Sequence, residues 1–419
     1  MSRSRGAARP VVVPAVAGTA APRWGLLGDR DFRRLWVVGL VVFAVRWLEM
    51  IVIGVFVYRH TGSAFDVAMM TLLRMLPLAL FGAVIGAVAE RVERRTVLIG
   101  VVATMLLTSL TLALLAYAGM LEVWHLAVAS FCNGITWATD NPVRRVMIGE
   151  VVGHEQMGAA MSIDVGANNA SRMLGPTIGG LMFAGVGISG TFTLSVLCYA
   201  VALVAAFSVG HRNSQGPASE SAVLARMLEG LALVRRDPRL IATLTITVIY
   251  NVFGWPFTSM IPVIGQDNLH LGASGIGMLA SMDGVGSFCG AIAMALYAKP
   301  ALYARLYIGG VAVYMGMVIV FALVPNVPLA GTALLFTGVS GAAFSVLQAT
   351  LIYLSAPAEM RSRMYGVLSV CIGVGPVGFL CLGGLAELIG ARWATATMGA
   401  LGFVALAVTR RWWRQLSTG

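Results

Sequence analysis

Charge is scarce in this chain. Only 11% of its 419 residues are Asp, Glu, Lys or Arg, against about 25% in a soluble domain. That shortage excludes a soluble globular fold. Cysteine is scarcer and unpatterned. Cys132, Cys198, Cys289, Cys371 and Cys381 all fall in apolar stretches, and none forms a CxxC. An odd number so placed argues against a disulfide framework or a thiolate metal site and for small packing residues. The five histidines (His60, His125, His154, His211, His270) sit in or beside loops, so no His–carboxylate relay or metal cluster is expected inside the spans. No GxxxxGK[ST] phosphate loop occurs, so the chain is not its own ATPase. Neither an enzyme nor a cofactor is expected.

What the chain has is apolar length. It is 58% hydrophobic, with a mean hydropathy of +0.85. A bilayer-crossing helix needs about 20 residues. Spans are predicted near 35–58, 67–89, 97–117, 123–142, 158–185, 188–209, 239–265, 273–297, 301–323, 328–353, 365–389 and 393–409. The fold class is an all-α membrane protein with twelve transmembrane helices.

The loops between spans alternate in charge. One side collects 24 of the 29 Lys and Arg residues, including Arg91, Arg94, Arg95, Arg144 and Arg145; the other has only Arg59 and Arg392. The positive-inside rule places both termini in the cytoplasm. The same rule accounts for the net charge of +11 without a nucleic-acid partner. The plasma (inner) membrane is the expected location and the lipid bilayer the expected surroundings, with the protein acting as a monomer. The opening segment, with "VVVPAVAG" followed by "GDRDFRRLW", reads as a tail and not as a cleaved leader.

The organisation is a repeat. "RDFRRLW" (30–36) opens the first span and "RDPRLIA" (236–242) the seventh, and six spans follow each. This divides the chain into a tail (1–34), a six-helix half (35–209), a cytoplasmic linker (210–238), a second six-helix half (239–409) and a short tail (410–419). The linker's 223–236 part carries apolar residues at helical spacing and could form a surface helix.

Two motifs then stand out. "GAVAERVERRTVLI" (86–99) places Gly86, Glu90, Arg91, Arg94 and Arg95 in the loop after the second span. "SRMLGPTIGG" (171–180) places Gly175, Pro176, Gly179 and Gly180 in the fifth. Pro176 lacks an N–H and is expected to bend that helix; the glycines permit close approach of a neighbour. A weaker echo, "GVGPVGFLCLGG", lies in the eleventh span, where it should face the second across the halves.

These stretches resemble the major facilitator superfamily, and in particular its drug:proton antiporter branch near the macrolide exporters and the enterobactin exporter. The first is similar to that family's loop motif, with Glu90 for Asp and Glu93 where a glycine is usual. The second is similar to the antiporter motif, with Ser171 in the first glycine's place. The resemblance implies two six-helix halves with a substrate site between them near the midplane. It implies that Gly86, Glu90, Arg91, Arg94 and Arg95 latch the cytoplasmic ends of the halves, and that the fifth and eighth spans meet across them. One departure matters. Many proton antiporters of the family carry an Arg in the fourth span four residues before a Gly, whereas "SFCNG" puts Ser130 there before Gly134.

Charges inside spans are costly, about 2.5–3.5 kcal/mol each at a helix centre, and mark pathways or pairs. Arg46 and Glu49 lie three apart on the first span, Arg74 on the second, Asp164, Asn168 and Arg172 four apart on the fifth, and Asp283 on the eighth. Glu49, Asp164 and Asp283 are the proton-coupling candidates; Arg46, Arg74 and Arg172 are their charge partners. Arg46 could hold Glu49. Arg172 could pair with Asp283 across the halves, or with Asp164 through Asn168. Asp140 reads as an interfacial loop residue with Arg144. Trp47, Asn133, Trp137, Asn168, Asn251, Trp255 and Gln348 are substrate-cavity candidates, and "YNVFGWPF" (250–257) a break or gate. The expected function is export of amphipathic drug-like or siderophore-like small molecules by proton antiport with alternating access. The alternatives are an uncoupled facilitator or importer, or a sensor or lipid scramblase on the same scaffold.

Overall fold

The structure, a computed structural model, describes residues 23–210, 234, 237–357 and 360–417, with side chains described except at 23–25, 81–91, 154, 361–362 and 414–417. The helices are α1 (Arg30–Thr61), α2 (Ala64–Arg91), α3 (Arg94–Tyr117), α4 (123–152), α5 (154–186), α6 (188–208) and α7 (Pro238–Asp267). They continue with α8 (Ala273–Tyr297), α9 (Tyr303–Leu323), α10 (Val327–Ser355), α11 (Arg361–Gly373 and Gly375–Ile389), α12 (Ala391–Val408) and a short α13 (Arg410–Ser417). The first twelve are the twelve predicted spans of an all-α membrane protein.

Local chemistry sets the ends. Asp29 caps α1, its Oδ1 accepting from the backbone N–H groups of Asp31 and Phe32 at 2.9 and 2.8 Å. Asp237 caps α7 with Pro238 in the first turn, where a missing N–H costs nothing. The stretch from Val123 to Ser208 is helical almost throughout. It turns sharply at Gly153 (φ 73°) and Gly187 (φ 70°), a backbone region that side chains rarely enter. These two glycines separate α4, α5 and α6. Pro176 does not interrupt α5, whose only non-helical positions are those at its ends. In α7 the helix changes character over Tyr250–Gly254, a π turn, and Trp255–Met260, a 3-10 turn. This is the break read from "YNVFGWPF".

One apolar core is confined to the first half, and a larger one runs through the second half and across the seam into the first. In the first half Phe32, Leu35, Leu98, Val102 and Tyr199 are buried together. In the second, the Tyr250 and Phe344 rings stack at 3.7 Å, with Tyr314 tilted against Tyr250 at 4.6 Å. The halves meet along α5–α8 and α2–α11. At the end of the bundle remote from the termini they are tied by polar contacts. Tyr58 donates to Asp267, Ser63 Oγ donates to Glu387 Oε1 at 2.5 Å, and the Phe65 N–H reaches the same oxygen at 3.2 Å.

The predicted fourth span stopped at 142, but α4 runs ten residues further. Asp140 and Arg144 are therefore 1% and 0% exposed, inside the bundle. Arg144 donates from Nε to both Asp140 oxygens at 3.4 Å and from Nη1 to Asp164. It lies under Gly39 of α1, where a Cβ would strike the guanidinium, and 4.9 Å from the Phe43 ring. The reading of Asp140 as a loop residue is corrected, and one of the 24 cations counted in loops is buried. The expected linker, 210–238, falls mostly outside the described residues, as does the expected tail before residue 23.

Candidate functional site

A cavity of about 300 Å³ lies between the halves at mid-bundle. Its first-half wall carries Arg46, Trp47, Arg74, Trp137 and Arg172; its second-half wall carries Asn251, Trp255 and Gln348. These positions come from α1, α2, α4, α5, α7 and α10, and all were singled out from sequence. The break in α7 turns Asn251, Trp255 and Thr258 toward this space. Gln348 donates to Thr247 Oγ1 at 2.9 Å, and Asn251 donates to the Thr247 carbonyl at 2.9 Å. Trp255 meets Phe379 edge-on at 5.9 Å. A larger groove, about 490 Å³, lies between α8, α9 and α10, but it belongs to one half and is apolar except for Tyr297, Arg305 and Ser340.

The wall also holds Met50, Thr71, Met75, Tyr250, Phe344 and Ser345, which sequence reasoning missed. A signal was present. Met50 is four residues from Arg46, Thr71 three from Arg74, Phe344 four from Gln348. Neighbours at helical spacing from a candidate share its face.

Two cavity candidates do not line it. Asn133 is 4% exposed and donates to Glu49 Oε2 at 3.5 Å, within the first half. Asn168 stands behind Trp47, accepting from its indole N–H at 3.4 Å.

The charged groups separate into three sets. Glu49 is buried between α1, α3 and α4, where Ser109 Oγ donates to it at 2.9 Å. The expected Arg46–Glu49 pair is not formed. Three residues along a helix turn the side chain by about 60° from its starting direction. That suffices here to send Glu49 into the helix seam and Arg46 into the cavity. Arg46 instead lies against ring faces, 4.8 Å from Trp137 and 5.4 Å from Trp47. Arg74 reaches the Arg46 carbonyl from Nη1 at 3.5 Å.

Asp164 belongs to the second set. It pairs with Arg144 and, at 3.3 Å, with Arg145. The stripe Asp164–Asn168–Arg172 is therefore not a continuous path.

The third set crosses the halves. Arg172 donates to Asp283 Oδ2 from Nε at 3.0 Å and from Nη2 at 2.5 Å. Of the two partners considered for Arg172, the structure selects Asp283. Beside the pair is a space of about 20 Å³ shared with Trp47 and Thr258, room for about one water. Thr177 continues the seam, its N–H and hydroxyl donating to Ser281 Oγ at 3.1 and 2.7 Å.

The glycines of "SRMLGPTIGG" divide their work. A Cβ on Gly180 would strike the Ala273 carbonyl, and one on Gly277 would strike that of Pro176, so α5 and α8 touch backbone to backbone. Gly175 and Gly179 face α1 instead, where a Cβ would lie 2.7 Å from Trp47 Cβ and 2.7 Å from the Leu48 carbonyl oxygen. The motif thus clamps α5 between its own half and the other. In α11 the division recurs: Gly378 lies on Val252 and Pro256 of α7, Gly383 on Phe65 and Ala68 of α2.

Of the loop motif, Gly86, Glu90 and Arg91 lie outside the described side chains. Arg94 pairs with Glu150, and Arg95 donates to the Phe207 carbonyl at 2.7 Å. Both contacts stay within the first half. Gly134, four residues after Ser130, meets the Arg74 carbonyl of α2. The cations of the first-half wall come from α1, α2 and α5 and not from the fourth span.

Known proteins share this arrangement. A structure of a bacterial homologue of the human lysosomal transporter Spinster, inward-facing and unoccupied, matches with a TM-score of 0.70 at 15% identity, covering 95% of this chain and 98% of that one. The likeness shows the major facilitator fold of two six-helix halves. The chain is 25% identical over 366 residues to the multidrug efflux pump Tap of Mycolicibacterium fortuitum, covering 84% of this chain and 86% of that protein. It is 24% identical over 241 residues to macrolide efflux protein A of Streptococcus pyogenes. That match covers 56% of this chain and spans 59% of the relative. The family model described as "Transmembrane secretion effector" matches residues 21–415. The chain is a multi-pass membrane protein that belongs to this family of major facilitator transporters.

Proposed function

We propose that the protein exports amphipathic drug-like or siderophore-like small molecules by proton antiport with alternating access. The observation that carries this reading is the Arg172–Asp283 pair. It joins the two halves at the wall of the central cavity. A charge pair across a moving seam is made in one state and broken in the other. Asp283 is the carboxylate best placed to take a proton when the pair opens, because its Oδ1 has no partner. Glu49 and Asp164 are held within the first half and serve its packing. The efflux named for Tap and for macrolide efflux protein A supports the direction of transport.

The end carrying both termini is assigned to the cytoplasm of a plasma (inner) membrane on the loop charges. The polar ties at the opposite end then close the outer side. The N-half loop motif, through Glu90 and Arg94, is assigned to latching the cytoplasmic ends when the outer side opens.

A substrate-dependent proton flux in proteoliposomes tests the reading. A panel of neutral, anionic and cationic amphiphiles is applied across an imposed pH gradient. Export coupled to protons gives a flux that requires both a substrate and Asp283. Substrate movement without proton movement supports the uncoupled facilitator instead.

A further inference from the structure

The cavity's charge is one-sided. Arg46, Arg74 and Arg172 all line it, and no Asp or Glu does. Arg172 is paired with Asp283 from behind the wall. Among the described residues, no carboxylate lies within ion-pair distance of Arg46 or Arg74. Glu49, the nearest candidate in sequence, turns away to Ser109 and Asn133. Arg74 is 6% exposed. Its Nε and the Nη1 of Arg46 have no hydrogen-bond partner.

A guanidinium inside a bundle with no anion in contact is costly, and such groups mark substrate or ion pathways. Rings partly relieve Arg46, with Trp137 and Trp47 within 5.4 Å. A ring face supplies no lone pair, however, so the N–H groups still lack acceptors. A planar carboxylate or sulfonate supplies them and matches the guanidinium fork. The other cavity walls are aromatic, with Trp47, Trp255 and Tyr250 placed to hold a ring system. At about 300 Å³, the space is at the small end of ligand pockets.

We propose that this cavity selects a compact amphipathic anion: a ring-bearing body with one carboxylate- or sulfonate-type group, its charge held by Arg46 and Arg74. The proposal rests on the reading of the cavity as the transport site. A cationic drug is disfavoured because it would meet two positive charges that have no described carboxylate within ion-pair distance, Glu49 and Asp140 acting on them only from farther off.

Equilibrium binding to the full chain in nanodiscs tests it, with three probes of one ring body. These are 1-naphthaleneacetate, 1-naphthaleneacetamide and 1-naphthylmethyl-trimethylammonium, with empty nanodiscs subtracted. The anion should bind at least tenfold tighter than the amide, and the cation weakest. Arg46→Gln should erase the preference for anion over amide, and Arg46→Lys should retain part of it. A cation that binds as well as the anion overturns the proposal. So does absence of saturable anion binding, or an undiminished preference in folded Arg46→Gln. Flux of each probe is then measured in proteoliposomes. Preferred anion binding without movement leaves the selectivity standing and removes export. Movement of the cation without anion preference leaves export standing and removes the selectivity.

Discussion

Arg172 of α5 places two N–H donors on one oxygen of Asp283 of α8, at 3.0 and 2.5 Å, and leaves the other oxygen without a partner. The contact is the one ion pair among the described residues that joins the two halves. It is 22% exposed on the Arg side and 8% on the Asp side, so water and substrate can reach it. In the proposed cycle this contact is the one that opens as the halves separate.

Removing one partner of a buried pair costs about 3–5 kcal/mol; the partial exposure of Arg172 places this pair at or below the low end of that range. Asp283→Asn is therefore expected to lower thermal stability in detergent and to impair transport sharply. Arg172→Gln combined with Asp283→Asn should be more stable than either single variant, yet remain uncoupled. A double variant no better than the worse single one contradicts the pairing energy.

Backbone contact between α5 and α8 sets the second expectation. Gly180→Ala places a Cβ against the Ala273 carbonyl, whereas Gly384→Ala meets nothing within 4 Å. Overpacking costs about 1–3 kcal/mol. Gly180→Ala should lower the melting temperature measurably, while Gly384→Ala leaves it within error. Equal effects would show that the glycine motif does not set the seam.

The closed end of the bundle gives a third. Tyr58–Asp267 and Ser63–Glu387 join the halves there. Tyr58→Phe with Glu387→Gln should widen the distance distribution between spin labels at Gly62 and Asn268, read by pulsed electron resonance. An unchanged distribution would assign closure to the apolar helix packing alone.

Topology is open to direct labelling. In a Cys-free background, a cysteine at Gly216 should be protected from an impermeant thiol reagent in intact cells, and one at Asn268 should react. Labelling at 216 from outside would reverse the assigned orientation.

Much of this was legible because membrane physics leaves a plain signature. Twelve apolar runs, the break at Gly254 and Pro256 in α7 and the cross-half placement of Arg172 and Asp283 follow from length, residue type and depth counting along antiparallel helices. The azimuth of a side chain was less legible. Arg46 and Glu49 look like one face at spacing three, but Glu49 meets Ser109 of α3 and Asn133 of α4 while Arg46 lines the cavity. Arg144 looked like a loop cation because a charged run normally ends a span. Its burial depends on Asp140, Asp164 and the missing side chain of Gly39, which come from three helices. Gly175 and Gly180 likewise belong to one motif but face different partners, and only the packing of α1 and α8 separates them.

The most direct test measures proton entry into proteoliposomes carrying a trapped pH dye. The wild type and Asp283→Asn are compared while 1-naphthaleneacetate, or any amphiphile found to move, is supplied on the substrate-loading side. The account expects substrate to evoke proton flux in the wild type and none in Asp283→Asn, although the variant still binds the probe. Substrate-evoked proton flux of equal size in both would contradict it.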